Sequence, residues 1–204
     1  MPGRLFLTTP ITELAGLTGA TCDFDEPPRH NIAPGQAVVV LTAEAVLTRM
    51  RWGLIPVGRV NARGRPVMET IVNARSETVF AKSAYEGVIR CAVPADGWYE
   101  WTGKKGRKTA WAIRAKSGAP LWFAAICDKW DGPGGHTVWQ VATVTCAPNA
   151  DVCDIHDRMG VLLDPGVLQA WLTGSAEAAA ALMKPAPEGS LKVSEAGDVD
   201  WSGP

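Results

Sequence analysis

A chain of 204 residues, 47% apolar and 20% charged, suits one large domain with a real core. It excludes two full domains and a largely disordered chain. The formal net charge of −1 excludes a protein that is basic overall, so total charge gives no support to nucleic-acid binding. Charge is nevertheless segregated. Arg49, Arg51, Arg59, Arg63 and Arg65 form one run without an acid, and Lys104, Lys105, Arg107, Lys108, Arg114 and Lys116 form another. Such runs make either a basic face on a neutral protein or an ordinary solvated surface. The five cysteines are odd in number and include no CxxC pair, which argues against a disulfide framework or a zinc site. Cys91, Cys127 and Cys146 lie in apolar, strand-like runs and read as buried free thiols, which suits a reducing, cytoplasmic setting. The N-terminal MPGRLFLTTP has no signal-peptide core, and no apolar run approaches about 18 residues, so no membrane span is expected.

In chain order, residues 10–18 read as a short helix with Pro10 near its start, and 19–36 as a Pro- and Asp-rich loop. Strand-length apolar runs follow at 37–41, 45–52, 88–93, 110–114, 121–126 and 138–145, flanked by Gly, Pro and Asp. Residues 76–86 look helical, as do 165–173, with Asp164 as cap and Pro165 in the first position, and 175–183, with Ser175 as cap. A break at Lys184-Pro185-Ala186-Pro187 sets a domain at 1–184 apart from a polar tail at 185–204. Many short strands without a βαβ rhythm predict an α+β fold of mainly antiparallel sheets, barrel-like, with flanking short helices.

Four segments place polar residues among small or apolar neighbours: VNARSET (72–78), RCAVPADGWYEW (90–101), VTCAPN (144–149) and DIHDRMGVLL (154–163). Asp96-Gly97 marks a turn, and the strand after it puts Trp98 and Glu100 on one face, Tyr99 and Trp101 on the other. A carboxylate beside an indole is partly desolvated, which raises its pKa toward an acid–base range; the alternative is a structural Glu paired with an arginine. His156 stands between carboxylates and Arg158, where it either shuttles protons or caps a turn. Asn73 can orient a substrate through its amide and Arg75 can hold a phosphate; alternatively Asn73 caps a helix and Arg75 pairs with Glu77. His30 reads as structural and His136 as exposed.

Taken together, HNIAPG, RWGLIP, NARSET, RCAVPADGWYEW, AAICD, TCAPN and IHDRMGVLL, in this order from residue 3 to about residue 163, resemble the SOS-response-associated peptidase-like family, whose members process abasic sites. The resemblance implies an α+β unit around antiparallel sheets with a basic cleft for single-stranded DNA, no membrane partner, no metal and no cofactor. It implies that Asn73, Glu100 and His156 support capture of the ring-opened aldehyde of an abasic deoxyribose. It also implies that Arg4 and Arg75 contact phosphates, that Trp52 lines the DNA path, and that Arg158 adds to the DNA-binding set. A monomer is expected.

The family's nucleophile is a cysteine directly after the initiator methionine, and Pro2 stands there in this chain. Proline has no thiol, so a thiazolidine adduct cannot form. Met1 is expected to be removed because the next residue is small, and the exposed secondary amine could condense with an aldehyde to an iminium, opening a lyase route. The alternatives are a relative that only binds single-stranded or damaged DNA non-covalently, and a peptidase. A lesser departure is Gly160, where the family usually has proline.

Overall fold

The computed structural model describes residues 2–56, 70–104, 106–197 and 199–203. Arg59, Arg63, Arg65 and Lys105, part of the two basic runs, lie outside the described residues. In chain order the elements are β1 (Arg4–Leu7), α1 (Ile11–Thr18), β2 (Arg29–Ile32), β3 (Ala37–Leu41), β4 (Leu47–Trp52), β5 (Asn73–Arg75), β6 (Ile89–Ala95), β7 (Gly97–Lys104), β8 (Arg107–Ala115), β9 (Leu121–Asp131), β10 (Thr137–Cys146), β11 (Met159–Gly160), β12 (Leu162–Leu163), α2 (Leu168–Thr173), α3 (Ala176–Leu182) and β13 (Leu191–Glu195). The expected α+β class with mainly antiparallel pairing is what forms.

Two sheets build the fold. One has five strands in the order β13-β8-β7-β1-β2; the other has eight, and its β10–β9 pairing closes β10-β4-β3-β6-β9 into a ring. Apolar strands such as AVVVL and LWFAAI are covered on both faces, which is why they carry little alternation. Cross-strand partners share a face, so the register puts Val38, Val40, Met50, Trp52, Cys91 and Val141 together on one side of the ring. Arg90 and Ala92 fall on the other side. There α2 packs: the Trp171 indole N–H donates to the Cys91 carbonyl at 2.8 Å, and the Arg90 guanidinium reaches the Gly174 carbonyl. The first set is therefore the barrel interior. Two pairings are parallel, β4 and β5 each along β10, with β5 taking over the flank of β10 where β4 ends.

The helix expected over 76–86 does not form. Residues 76–81 are turns and only Ser83–Tyr85 makes a 3-10 turn. Val79 is buried but Phe80 is exposed, so the stretch has no continuous apolar stripe to hold a helix down. The two C-terminal helices stand where the sequence puts them. Ser175 accepts a cap bond from the Ala178 N–H at 3.2 Å, whereas Asp164 stands at the start of a 3-10 turn without a side-chain cap bond. The polar tail is not detached. Leu191–Glu195 pairs with β8 as an edge strand, alternate residues turning inward, and Trp201 packs edge-on against Tyr99 at 4.9 Å. Six strands thus escaped the sequence reading: β1, β2, β5, β11, β12 and β13, of two to five residues each.

Candidate functional site

The site lies at the seam of the two sheets. β1 pairs antiparallel with β7, Arg4 opposite Tyr99 and Leu5 opposite Trp98. Carried one step back, the register sets Gly3 against Glu100 and so leads the amino terminus to that carboxyl. Asp96 anchors this pairing: its carboxylate accepts from the N–H and hydroxyl of Thr8, both at 2.6 Å, and from the N–H and hydroxyl of Thr9, at 3.0 and 2.5 Å. Gly97 is required next to it. A Cβ there would meet the Ile113 carbonyl oxygen at 2.2 Å and the Phe6 ring at 2.4 Å.

Pro2 is buried, and its carbonyl accepts a hydrogen bond from Asn73 Nδ2 at 3.0 Å. Asn73 is aimed by Thr143, directly opposite it on β10, whose hydroxyl donates to Asn73 Oδ1 at 2.5 Å. That bond fixes which side of the amide is oxygen and turns the NH2 toward Pro2. Asn73 is a strand residue, not a helix cap. Thr143 escaped the sequence reading, where it looked like one more residue of an apolar strand.

Glu100 is 4% exposed. Burial pushes its carboxyl up to about 7, while the positive amino terminus and the Trp98 indole act the other way. Trp98 and Glu100 share one strand face, as the alternation predicts; Tyr99 and Trp101 pack with Phe6 on the other. His156 is held in a turn built on Asn149, whose carbonyl accepts from the Val152 and Cys153 amides at 3.2 and 3.0 Å. Burial, then the same amino terminus, lower the His156 pKa. Its Nδ1 lies 3.0 Å from the Arg158 amide and 2.8 Å from an Asp157 carboxylate oxygen. A neutral ring accepts from the amide and carries its proton on Nε2; a protonated ring turns to Asp157. The lowered pKa favours the first state at neutral pH.

The positive charge at the amino terminus is thus felt by both Glu100 and His156, and Asn73 holds the Pro2 carbonyl. The other sequence candidates divide. Arg4 Nη1 donates to Asn31 Oδ1 at 2.7 Å, and Asn31 in turn donates to the carbonyls of Asp200 and Gly203, tying the chain's two ends together. Arg75 is exposed at the end of β5, and Glu77 pairs with Arg158 instead of with it. Arg158 makes a two-pronged pair with Glu77, at 2.5 and 2.9 Å, and donates to the Thr145 carbonyl. The pair holds the Glu77 carboxyl down at about 2. Arg158 is therefore engaged within the fold, where it braces the His156 turn against β10. Trp52 is 0% exposed, with its indole N–H on the Val72 carbonyl at 3.2 Å. Inside the barrel it has no free ring face, so the expected lining of a DNA path does not fall to it. Of the first basic run, Arg49 is paired with Glu26 at 2.7 Å and Arg51 turns to the Gly53 carbonyl. Among the described residues no group of three or more His, Cys, Asp or Glu side chains is placed to hold a metal ion, and no helix is long and apolar enough to cross a membrane.

The family model described as SOS response associated peptidase (SRAP) matches residues 1–198, and the chain belongs to that family. The abasic site processing protein YoaM of Bacillus subtilis (strain 168) is 34% identical over 152 residues, 71% of this chain and 66% of YoaM. The chicken abasic site processing protein HMCES is 32% identical over 155 residues, 64% of this chain and 46% of HMCES. The chain therefore matches just under two thirds of the Bacillus relative and less than half of the vertebrate one. A solved protein structure from Bacteroides thetaiotaomicron superposes with a TM-score of 0.82 at 22% identity, covering 96% of this chain and 92% of that one, which establishes the shared fold.

Proposed function

We propose that this protein processes abasic sites in single-stranded DNA and engages their ring-opened aldehyde with the secondary amine of Pro2, once Met1 has been removed. The observation that carries the reading is buried Pro2, its carbonyl held by Asn73 Nδ2 at 3.0 Å, just ahead of a strand whose register leads toward the buried Glu100 carboxyl. A terminal amine has an ordinary pKa of about 8, so a usable neutral fraction exists at pH 7. Its nitrogen lone pair adds to the aldehyde carbon C1′, and loss of the hydroxyl as water leaves an iminium. The iminium acidifies the C2′ protons. Glu100, near half ionised at neutral pH, or neutral His156 takes one of them. The electron pair released forms the C2′–C3′ double bond as the C3′–O bond breaks and the 3′ phosphate leaves. Water then hydrolyses the iminium and frees Pro2. Without a thiol to trap it, this linkage is shorter-lived than a thiazolidine. Arg4 and Arg75 are the side chains assigned to phosphates.

Borohydride trapping tests this on single-stranded DNA with one abasic site. The expected result is an adduct on the N-terminal peptide, reduced at C1′, and lost when the amine is acetylated or Met1 is retained. An adduct that survives acetylation overturns the amine route. Pro2 itself favours a second reading, non-covalent binding of damaged single-stranded DNA, because the family's thiol is missing. That reading predicts no adduct and binding that weakens steeply with salt.

A further inference from the structure

The barrel has a second end. Along β10 the step from Trp139 to Thr143 is a rise of about 13 Å; Thr143 meets Asn73 at the end already described. At the other end lies a cavity of about 390 Å³. Among its lining residues Thr42, Thr48, Met50, Ile89, Cys127 and Trp139 belong by register to the inward-facing set. Met50 and Cys127 are buried; Ile89, Trp139 and Val46 stay 47%, 43% and 37% exposed. These three are half of the exposed large hydrophobics among the described residues, gathered at one opening. Between the two ends the interior is plugged by Trp52, Val38, Val40, Cys91 and Val141, all buried, so the two openings do not share a lumen.

A barrel of so few strands fills its middle with side chains, and a mouth is where a small ligand fits. The two arginines at the opening are directed away from it, and the exposed Glu44 carboxylate on the rim disfavours an anionic ligand. Arg49 is cancelled by Glu26, and Arg90 is engaged by the Gly174 and Ser175 carbonyls outside the barrel. Inside, the polar groups are the Thr42 and Thr48 hydroxyls. An exposed indole at the rim offers a flat face for stacking. We infer that this far mouth binds a neutral, flat, largely apolar small molecule with a single hydrogen-bonding group, at a site separate from the amino-terminal one.

The test is a fluorescence titration of the full chain with N-phenyl-1-naphthylamine, a neutral aromatic probe with one N–H. Saturable one-to-one binding is expected, displaced by 1-naphthol and poorly by 1-naphthoate. Trp139→Ala and Ile89→Glu are expected to weaken it about ten-fold or more, Trp139→Phe to retain it, and Phe80→Ala, an exposed aromatic elsewhere, to leave it unchanged. No saturable binding to the wild-type chain overturns the proposal. So does undiminished binding in the folded Trp139→Ala and Ile89→Glu variants, or an equal loss in Phe80→Ala. Should those two variants fail to fold by near-ultraviolet circular dichroism, the wild-type competition decides: naphthoate displacing as well as naphthol overturns the neutral-ligand assignment.

Discussion

The closed barrel and the five-stranded sheet are stabilised by different means. The barrel is held by apolar packing around Trp52, Phe123 and Trp98, and its β9 and β10 are the longest strands among the described residues. The five-stranded sheet gathers four segments distant in sequence, 4–7, 29–32, 97–115 and 191–195, and polar knots secure it. Asp96 ties β1 to β7, and Asn31 ties Arg4 to the C-terminal residues. The barrel can be rigid without polar chemistry inside. The seam between the sheets cannot, and there a carboxyl and an imidazole are held at shifted pKa values beside the amino terminus. The difference shows where reactivity can be housed: a junction built from hydrogen bonds already excludes water and orients polar atoms.

Four measurements sharpen or break that contrast. The largest effect is expected from Glu100→Gln. It lowers the rate of β-elimination, read as strand cleavage at an abasic site in single-stranded DNA, by about 100-fold or more, while the borohydride-trapped adduct still forms, and it raises stability. The folded carboxyl titrates near 7 against an unperturbed 4.5, so the wild type loses stability as pH rises between those values. The amide escapes this loss, and at pH 8 denaturant titration should find the variant more stable by on the order of 2–3 kcal/mol, with no difference below pH 4. A seam indifferent to this carboxyl would show neither change.

Asp96→Ala comes next. It removes the acceptor of four hydrogen bonds, so a loss of about 3 kcal/mol is expected in urea unfolding. A loss below about 1 kcal/mol would mean that apolar packing, not the polar knot, holds β1 to its neighbour. On the barrel side, a Cβ at Gly160 would stand 2.4 Å from the Phe123 ring. Gly160→Ala is therefore expected to cost about 2 kcal/mol through overpacking, and the close approach gives a physical reason for glycine at this place. The smallest effect belongs to Glu77→Gln. With its carboxyl at about 2 against the unperturbed 4.5, the Glu77–Arg158 pair contributes fully above pH 4.5 and loses its contribution as pH falls through 2. Glu77 is half-exposed, so solvent screening limits the cost of the substitution to about 1 kcal/mol at pH 7, fading to nothing near pH 2. A pH-independent difference between the two proteins would show that the ion pair is not what braces the His156 turn.

Much of this was legible in the residues. Apolar runs of strand length placed the barrel strands, because a segment covered on both faces must be apolar throughout. Ser175, ahead of an alanine-rich stretch, announced α3, since capping is local chemistry. Two-residue alternation put Trp98 and Glu100 on one face. What escaped has a common cause: it depends on who the neighbour is. β1, β2, β5 and β13 are strands because partners far along the chain offer them hydrogen bonds, and residues 76–86 are not a helix because no apolar stripe anchors one. Trp52 and Arg158 have residue types suited to DNA, yet one is sealed in the barrel and the other is committed to Glu77 and Thr145. Thr143 gave no signal at all until β5 was laid beside β10.

The sequence by itself therefore determined the elements whose stability is local or uniformly apolar, the α+β class, the family, and the replacement of the family's thiol by Pro2. Tertiary structure alone decided that Asn73 holds the Pro2 carbonyl and that burial raises the Glu100 carboxyl and lowers the His156 imidazole, because a charge's pKa and an amide's orientation are set by burial and by partners far along the chain.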